Sequence, residues 1–312
     1  MPKLPPLIRW TRASTVLLSA FLMVIGLIIY VWWPLAQDYL SYIDWHGAWW
    51  RYIDWLLIGI FLFMSLTIVA RANLRRDGLI VLVATIGGLV IEAWGTQTNL
   101  WFYYTSERPP LWIVPAWPIA TLCIDRITRV LDYLTTKYTK EHKGKDIVPE
   151  FLTTKDTEEH EGRDNASAIG LPHPHPSPLG RGGIGKRIFK TLYWLTFVLF
   201  LGLMLSFVAP TFNKPYTILA LLLCGLLILT PTDHRLTLLV FVAGAGLGYF
   251  LELWGTTREC WTYYTHQTPP LFAVLAHGMA AVAFWRTGLI LKMLGRRFGL
   301  LRPQSVRVER EA

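Results

Sequence analysis

The sequence predicts an all-α, polytopic membrane protein of about eight transmembrane helices, arranged as two parallel four-helix repeats. Three observations lead there. The 312 residues are 53% hydrophobic and 16% charged, against about 25% charged in ordinary soluble domains, and the mean hydropathy is +0.37. The charges are clustered, leaving apolar runs of roughly 17–22 residues, long enough at about 1.5 Å per residue to cross a hydrocarbon core of about 30 Å. Finally, the text "EAWGTQTNLWFYYTSERPP" beginning at Glu92 returns as "ELWGTTRECWTYYTHQTPP" beginning at Glu252. Over 92–111 and 252–271, 11 of 20 residues are identical without a gap.

The expected spans are 14–33, 55–71, 78–95, 111–130, 190–209, 215–231, 236–254 and 271–292. The first follows Lys3, Arg9 and Arg12 and lacks a small-residue cleavage site, so it reads as a signal anchor that stays. Basic residues recur at alternate loops. Arg71, Arg75 and Arg76 precede span three, Arg126 and Arg129 follow span four, Arg235 precedes span seven, and Lys292, Arg296, Arg297 and Arg302 follow span eight. The intervening loops hold Arg51, Arg108, Lys214 and Arg258. Positive-inside bias therefore expects an inner (plasma) membrane protein with both termini cytoplasmic and both motif loops outside. The formal charge of +9 is then a topology signal, and no nucleic-acid partner is expected.

Each repeat has an even number of spans, so the two point the same way, about a pseudo-two-fold axis along the membrane normal. The first covers 1–133 and the second 190–295, with a basic tail over 296–312. Small residues at Ala84, Gly88, Gly244 and Gly248 would let the third span of each repeat approach another helix closely. Between the repeats, 134–189 is rich in Lys, Glu, Thr, Pro and Gly and cannot bury a core. It is expected to be a disordered cytoplasmic linker. Its near-copies "LTTKYTKEHKG" and "LTTKDTEEHEG" look like an inserted repetitive element. Gly180, Gly182 and Gly185 there fit a dinucleotide-loop spacing, but a membrane span follows them. Cys123, Cys224 and Cys260 have no metal or redox spacing, and no cofactor or metal is expected.

The candidate chemistry lies in the duplicated motif. Glu92 and Glu252 fall near the outer ends of their spans, still within the hydrocarbon. A carboxylate there is costly and needs a partner or a task. Two roles fit: a protonated general acid, or a structural acceptor bonded to backbone or Tyr groups. Trp94, Trp101, Tyr103 and Tyr104 follow the first Glu; Trp254, Trp261, Tyr263 and Tyr264 follow the second. Such rings suit a membrane interface, and desolvated aromatic faces also stabilise a cation. An acid beside an aromatic wall suits protonation of an alkene to a carbocation, with these rings as the substrate-binding wall. Gly95-Thr96 and Gly255-Thr256 read as helix stops, and the Pro pairs as stiff entries to the next span. Beyond them the copies diverge. "LWIVPAWPIA" should kink span four at Pro115 and Pro118, while "LFAVLAHGMA" places His277 where the first copy has Trp117. His277 is either a third proton-handling candidate or a link to a neighbouring helix.

At these residues the chain resembles the carotenoid hydratase-like family of integral-membrane carotenoid biosynthesis proteins. The matching order is Glu92, Gly95, Thr96, Tyr104, Val114, Pro115 and Trp117. It is also similar, more weakly, to the tandem lycopene cyclase domain, through Glu92, Trp101, Tyr103 and Pro115, and through Glu252, Trp261 and Tyr263. Ala116-Trp117 stand where the cyclase has paired acids, and "QTNLW" replaces the Gly/Pro-rich stretch of the hydratase. The resemblance covers about 35 residues per half. It implies a long isoprenoid or carotenoid substrate and acid-initiated hydration or rearrangement, with membrane lipid as surroundings. The alternatives are a non-enzymatic lipid or small-molecule carrier or scaffold with the motif loops as a binding rim, or a transporter. An enzyme needs an apolar cavity reaching a Glu carboxylate; a scaffold does not.

Overall fold

The computed structural model describes residues 10–143, 181–230 and 233–298. It is mostly helical. The helices are α1 (Arg12–Val31), α2 (Trp33–Ser41), α3 (Trp55–Val69), α4 (Leu74–Gln97), α5 (Ala116–Lys143), α6 (Arg181–Val208), α7 (Pro215–Leu229), α8 (His234–Thr257) and α9 (Leu271–Arg297). Their starts are written in the sequence. Thr11 closes a capping box on α1, and Asp54, Asn73 and Asp233 each accept from a backbone N–H in the first turn of α3, α4 and α8.

The helices are not the only regular structure. Trp101–Tyr103 forms β1, Trp261–Tyr263 forms β2, and the two pair antiparallel with Trp101 opposite Tyr263 and Tyr103 opposite Trp261. This ribbon adds one short β element to a chain that is otherwise helical among the described residues. Three-residue strands give too short an alternation to separate from an interfacial aromatic cluster.

Among the described residues, five helices are long and apolar enough to cross a membrane: Arg12–Val31, Leu74–Gln97, Arg187–Thr211, His234–Thr257 and Leu271–Arg297. They correspond to five of the eight expected spans. The second and sixth are apolar helices of 15 residues each, about 22 Å long. The fourth starts at Ala116 rather than Leu111 and carries Asp125, Arg126 and Arg129. Neither proline expected to kink it lies in the helix interior. Pro115 precedes the helix and Pro118 lies in its first turn, where a missing N–H costs nothing.

The outer faces are apolar and the polar side chains point inward. On α7, Leu219, Leu222 and Leu226 are exposed while Thr217 is fully buried. That inversion suits lipid surroundings, where only internal partners can satisfy polar groups. The close approach expected of the small residues occurs. A Cβ on Gly244 would lie 2.9 Å from Ala281 Cβ, drawing α8 against α9. Helices also extend into both ends of the expected linker, through Lys143 and from Arg181. The rest of that segment lies outside the described residues, as does most of the 296–312 tail.

Candidate functional site

The last turns of α4 place Gly88, Glu92 and Gly95 at i, i+4 and i+7, on one face. Gly248, Glu252 and Gly255 do the same on α8. Each glycine is a flat seat for a ring. A Cβ on Gly95 would lie 1.8 Å from Trp101 Cη2, and one on Gly255 1.9 Å from Trp261 Cη2. A Cβ on Gly88 would lie 2.4 Å from Trp117 Cγ, and one on Gly248 2.4 Å from His277 Cβ. Gly95 and Gly255 therefore do not stop their helices, which run on to Gln97 and Thr257. Thr96 and Thr256 instead donate to the carbonyls of Glu92 and Glu252, both at 2.6 Å.

The seated rings converge on the carboxylates, which are 3% (Glu92) and 2% (Glu252) exposed. Trp101 Nε1 donates to Glu92 Oε2 at 3.2 Å, Trp117 Nε1 donates to Oε1 at 3.0 Å, and the Tyr103 hydroxyl lies 3.0 Å from both oxygens. At Glu252, Trp261 Nε1 donates to Oε2 at 3.0 Å, the Tyr263 hydroxyl donates to Oε1 at 2.8 Å, and His277 Nε2 lies 2.9 Å from Oε1. With Nε2 protonated, His277 does what Trp117 does: it presents a ring N–H to the acid. The difference between the two copies thus conserves one donor position. The two rings also stack on each other, 5.7 Å between centroids with a 22° interplanar angle. The strands lie outside the spanning helices. Burial, and then the facing Glu92 carboxylate, holds the Tyr103 phenol well above its usual range. Burial and Glu252 do the same for Tyr263, so both remain donors.

Every donor to a given carboxylate comes from its own half of the chain. The halves meet through the ribbon and through rings: Trp101 lies 6.1 Å from Tyr263, and Tyr103 lies 6.2 Å from Trp261. The remaining predicted aromatics bond elsewhere. Trp94 Nε1 donates to Thr217 at 3.1 Å, and Trp254 Nε1 donates to Asp54 at 2.8 Å, each tying one half to the other. Tyr104 donates to the Val31 carbonyl, and Tyr264 to that of Phe207.

Sequence reasoning missed Trp32 and Trp112. Trp32 packs 5.1 Å from Trp254 and 5.5 Å from Trp112, and Trp112 packs 5.3 Å from Tyr103. Trp112 was detectable, because the second copy has the aromatic Phe272 at the same place after the Pro pair. It also missed the role of Arg126, which was read as a topology charge. Arg126 is a buried partner of Asp77 at 2.5 Å, with side chains 4% and 1% exposed.

A cavity of about 290 Å³ lies between α4, α5, α8 and α9, and neither Glu92 nor Glu252 lines it. Its wall residues sit at the end of these helices away from the ribbon. Among the described residues no group of three or more His, Cys, Asp or Glu is placed to hold a metal.

The seats give a direct expectation. Gly95→Ala pushes a methyl into an indole and should destabilise by about 2–3 kcal/mol, the range for overpacking a tight site. Gly26→Ala, where a Cβ meets nothing within 4 Å, should not. Thermal melting of both variants in one detergent checks this.

No protein-family model, curated protein or solved structure matches this chain.

Proposed function

We propose that this protein is a non-enzymatic carrier or scaffold for lipid-like small molecules, built of two parallel four-helix repeats within eight membrane-crossing segments. In this reading the ribbon faces outside and both termini lie on the cytoplasmic side of the inner membrane. Support for the repeats comes from recurrence at one spacing of 160 residues. It relates Leu74–Gln97 to His234–Thr257, β1 to β2, and the hydrogen bonds of Glu92 to those of Glu252. One observation carries the non-enzymatic reading: each carboxylate is buried and already engaged by three side chains. A general acid must come within about 2.6–3.2 Å of its substrate atom, and both oxygens of each carboxylate already hold a side-chain partner.

A second reading is acid-initiated hydration or rearrangement of a long isoprenoid or carotenoid alkene. His277 beside Glu252, with Trp117 stacked on its ring, favours it, as does the family resemblance. Glu92, Glu252 and His277 would then manage the proton and the surrounding rings the cation. One experiment separates the two. The wild type and the Glu92→Gln and Glu252→Gln variants are expressed in a carotenoid-producing bacterial host, with membrane expression verified and pigments and polyprenyl lipids read by mass spectrometry. The scaffold reading expects profiles identical to those of the empty vector. A new product that disappears in the Gln variants overturns it.

A further inference from the structure

We infer that the cavity between α4, α5, α8 and α9 is a binding site for an anionic amphiphile, a phosphate head carrying an apolar tail. The site is distinct from the Glu clusters and stands whether or not they do chemistry. At about 290 Å³ it falls near the lower end of small-ligand pockets, enough for a headgroup and the first part of one chain. Its deep wall is apolar: Leu79, Ile80 and Val83 from α4, Ile124 from α5, Val240 from α8 and Phe284 from α9. Arg76, Arg129 and Lys292 line the same cavity, together with Asp125 and Asp132.

Charge accounting makes these lining residues a cationic site. Asp125 is committed to three arginines: Arg76 at 2.6 Å, Arg126 at 2.8 Å and Arg129 at 2.9 Å. Asp132 is committed to Arg235 at 2.8 Å. Arg126 is shared with Asp77. Lys292 has no ion pair among the described residues. Two carboxylates on the wall thus face an excess of cations, and Arg76 and Arg129 stay partly exposed, at 31% and 34%. Such clusters between membrane helices attract anionic headgroups, and guanidinium groups suit phosphate oxygens.

A second observation is independent of charge. Thr128 lines the cavity and is 5% exposed, yet its hydroxyl has no hydrogen-bond partner. Several other helical threonines satisfy themselves on the carbonyl four residues back, as Thr121 does on Trp117 at 2.8 Å and Thr85 does on Val81 at 2.8 Å. Thr128 does not. A buried hydroxyl left unpaired is costly, and a headgroup oxygen in this cavity would satisfy it.

The test uses the purified full chain in a zwitterionic detergent, titrated with phosphatidylglycerol, phosphatidylcholine or inorganic phosphate and followed by native mass spectrometry. The expected result is retention of phosphatidylglycerol at one site, about ten-fold tighter than phosphatidylcholine, with no retention of inorganic phosphate. Lys292→Glu on the exposed rim and the near-isosteric Thr128→Val should each weaken phosphatidylglycerol retention at least three-fold. Val83→Trp, which fills the wall, should abolish it. Monodispersity on size exclusion confirms that each variant is folded. Equal retention of the two lipids, or retention unchanged in both Lys292→Glu and Thr128→Val, overturns the proposal as ordinary annular lipid. Binding of inorganic phosphate as tight as that of the lipid also overturns it, because the tail then has no part.

Discussion

Glu92→Ala is expected to cost about 5 kcal/mol, a loss comparable to the whole stability of many domains. The substitution deletes the single acceptor shared by Trp101, Tyr103 and Trp117. Three donors would then be buried and unpaired, at about 1–3 kcal/mol each. Glu252→Ala should behave alike for Trp261, Tyr263 and His277. Glu92→Gln keeps one acceptor oxygen and should lose about half as much. Glu107→Ala, on the exposed loop, should stay within about 0.5 kcal/mol of wild type. Thermal denaturation in detergent, with size exclusion to detect unfolded chain, ranks the four. A Glu92→Ala protein as stable as Glu107→Ala would remove the central argument for these carboxylates as structural acceptors.

The second large effect is at the other end of the bundle. Asp77 accepts from Arg126 at 3.0 and 2.5 Å and from the Asn73 backbone N–H at 2.8 Å. Asp77→Ala leaves a buried guanidinium short of its main partner, and breaking such a pair costs about 3–5 kcal/mol. Removing both charges is different. Asp77→Leu with Arg126→Met restores apolar packing, and Asp125 keeps Arg76 and Arg129. The double variant should recover most of the lost stability. Melting temperatures of the two single variants and the double variant complete the cycle. A double variant worse than either single one would show that the pair stabilises beyond its own desolvation.

How much of this was legible in the sequence depends on what kind of signal each feature leaves. The duplicated motif was fully visible, and with it the two acids and the rings that serve them. A structural acceptor bonded to Tyr was among the roles read for Glu92, and Tyr103 fills it. The glycines were misread. A Gly near a helix end looks like a stop whether it frees the backbone or makes room for an indole, and only the position of Trp101 tells the two apart. Pro115 and Pro118 misled similarly, because a helix start and a helix kink use the same residue. His277 opposite Trp117 read as divergence, since the letters differ while the ring nitrogen does not. Trp32 left no signal. The first spans of the two halves meet the motif loops through the backbone carbonyls of Val31 and Phe207, and a carbonyl has no side-chain identity to repeat.

The ribbon has a consequence for the order in which the molecule is made. Its two strands come from opposite halves, yet Glu92 finds all its donors within the first. At roughly 5–20 residues per second of synthesis, β2 follows β1 by about 10–30 s. During that interval the first half can already satisfy its buried acid, while β1 waits with an open edge. An open edge pairs with whatever strand arrives. A second nascent copy presents the same Trp-Phe-Tyr edge. Crowded translation therefore favours exchange between chains, and a slow, sparse supply of ribosomes favours closure within one.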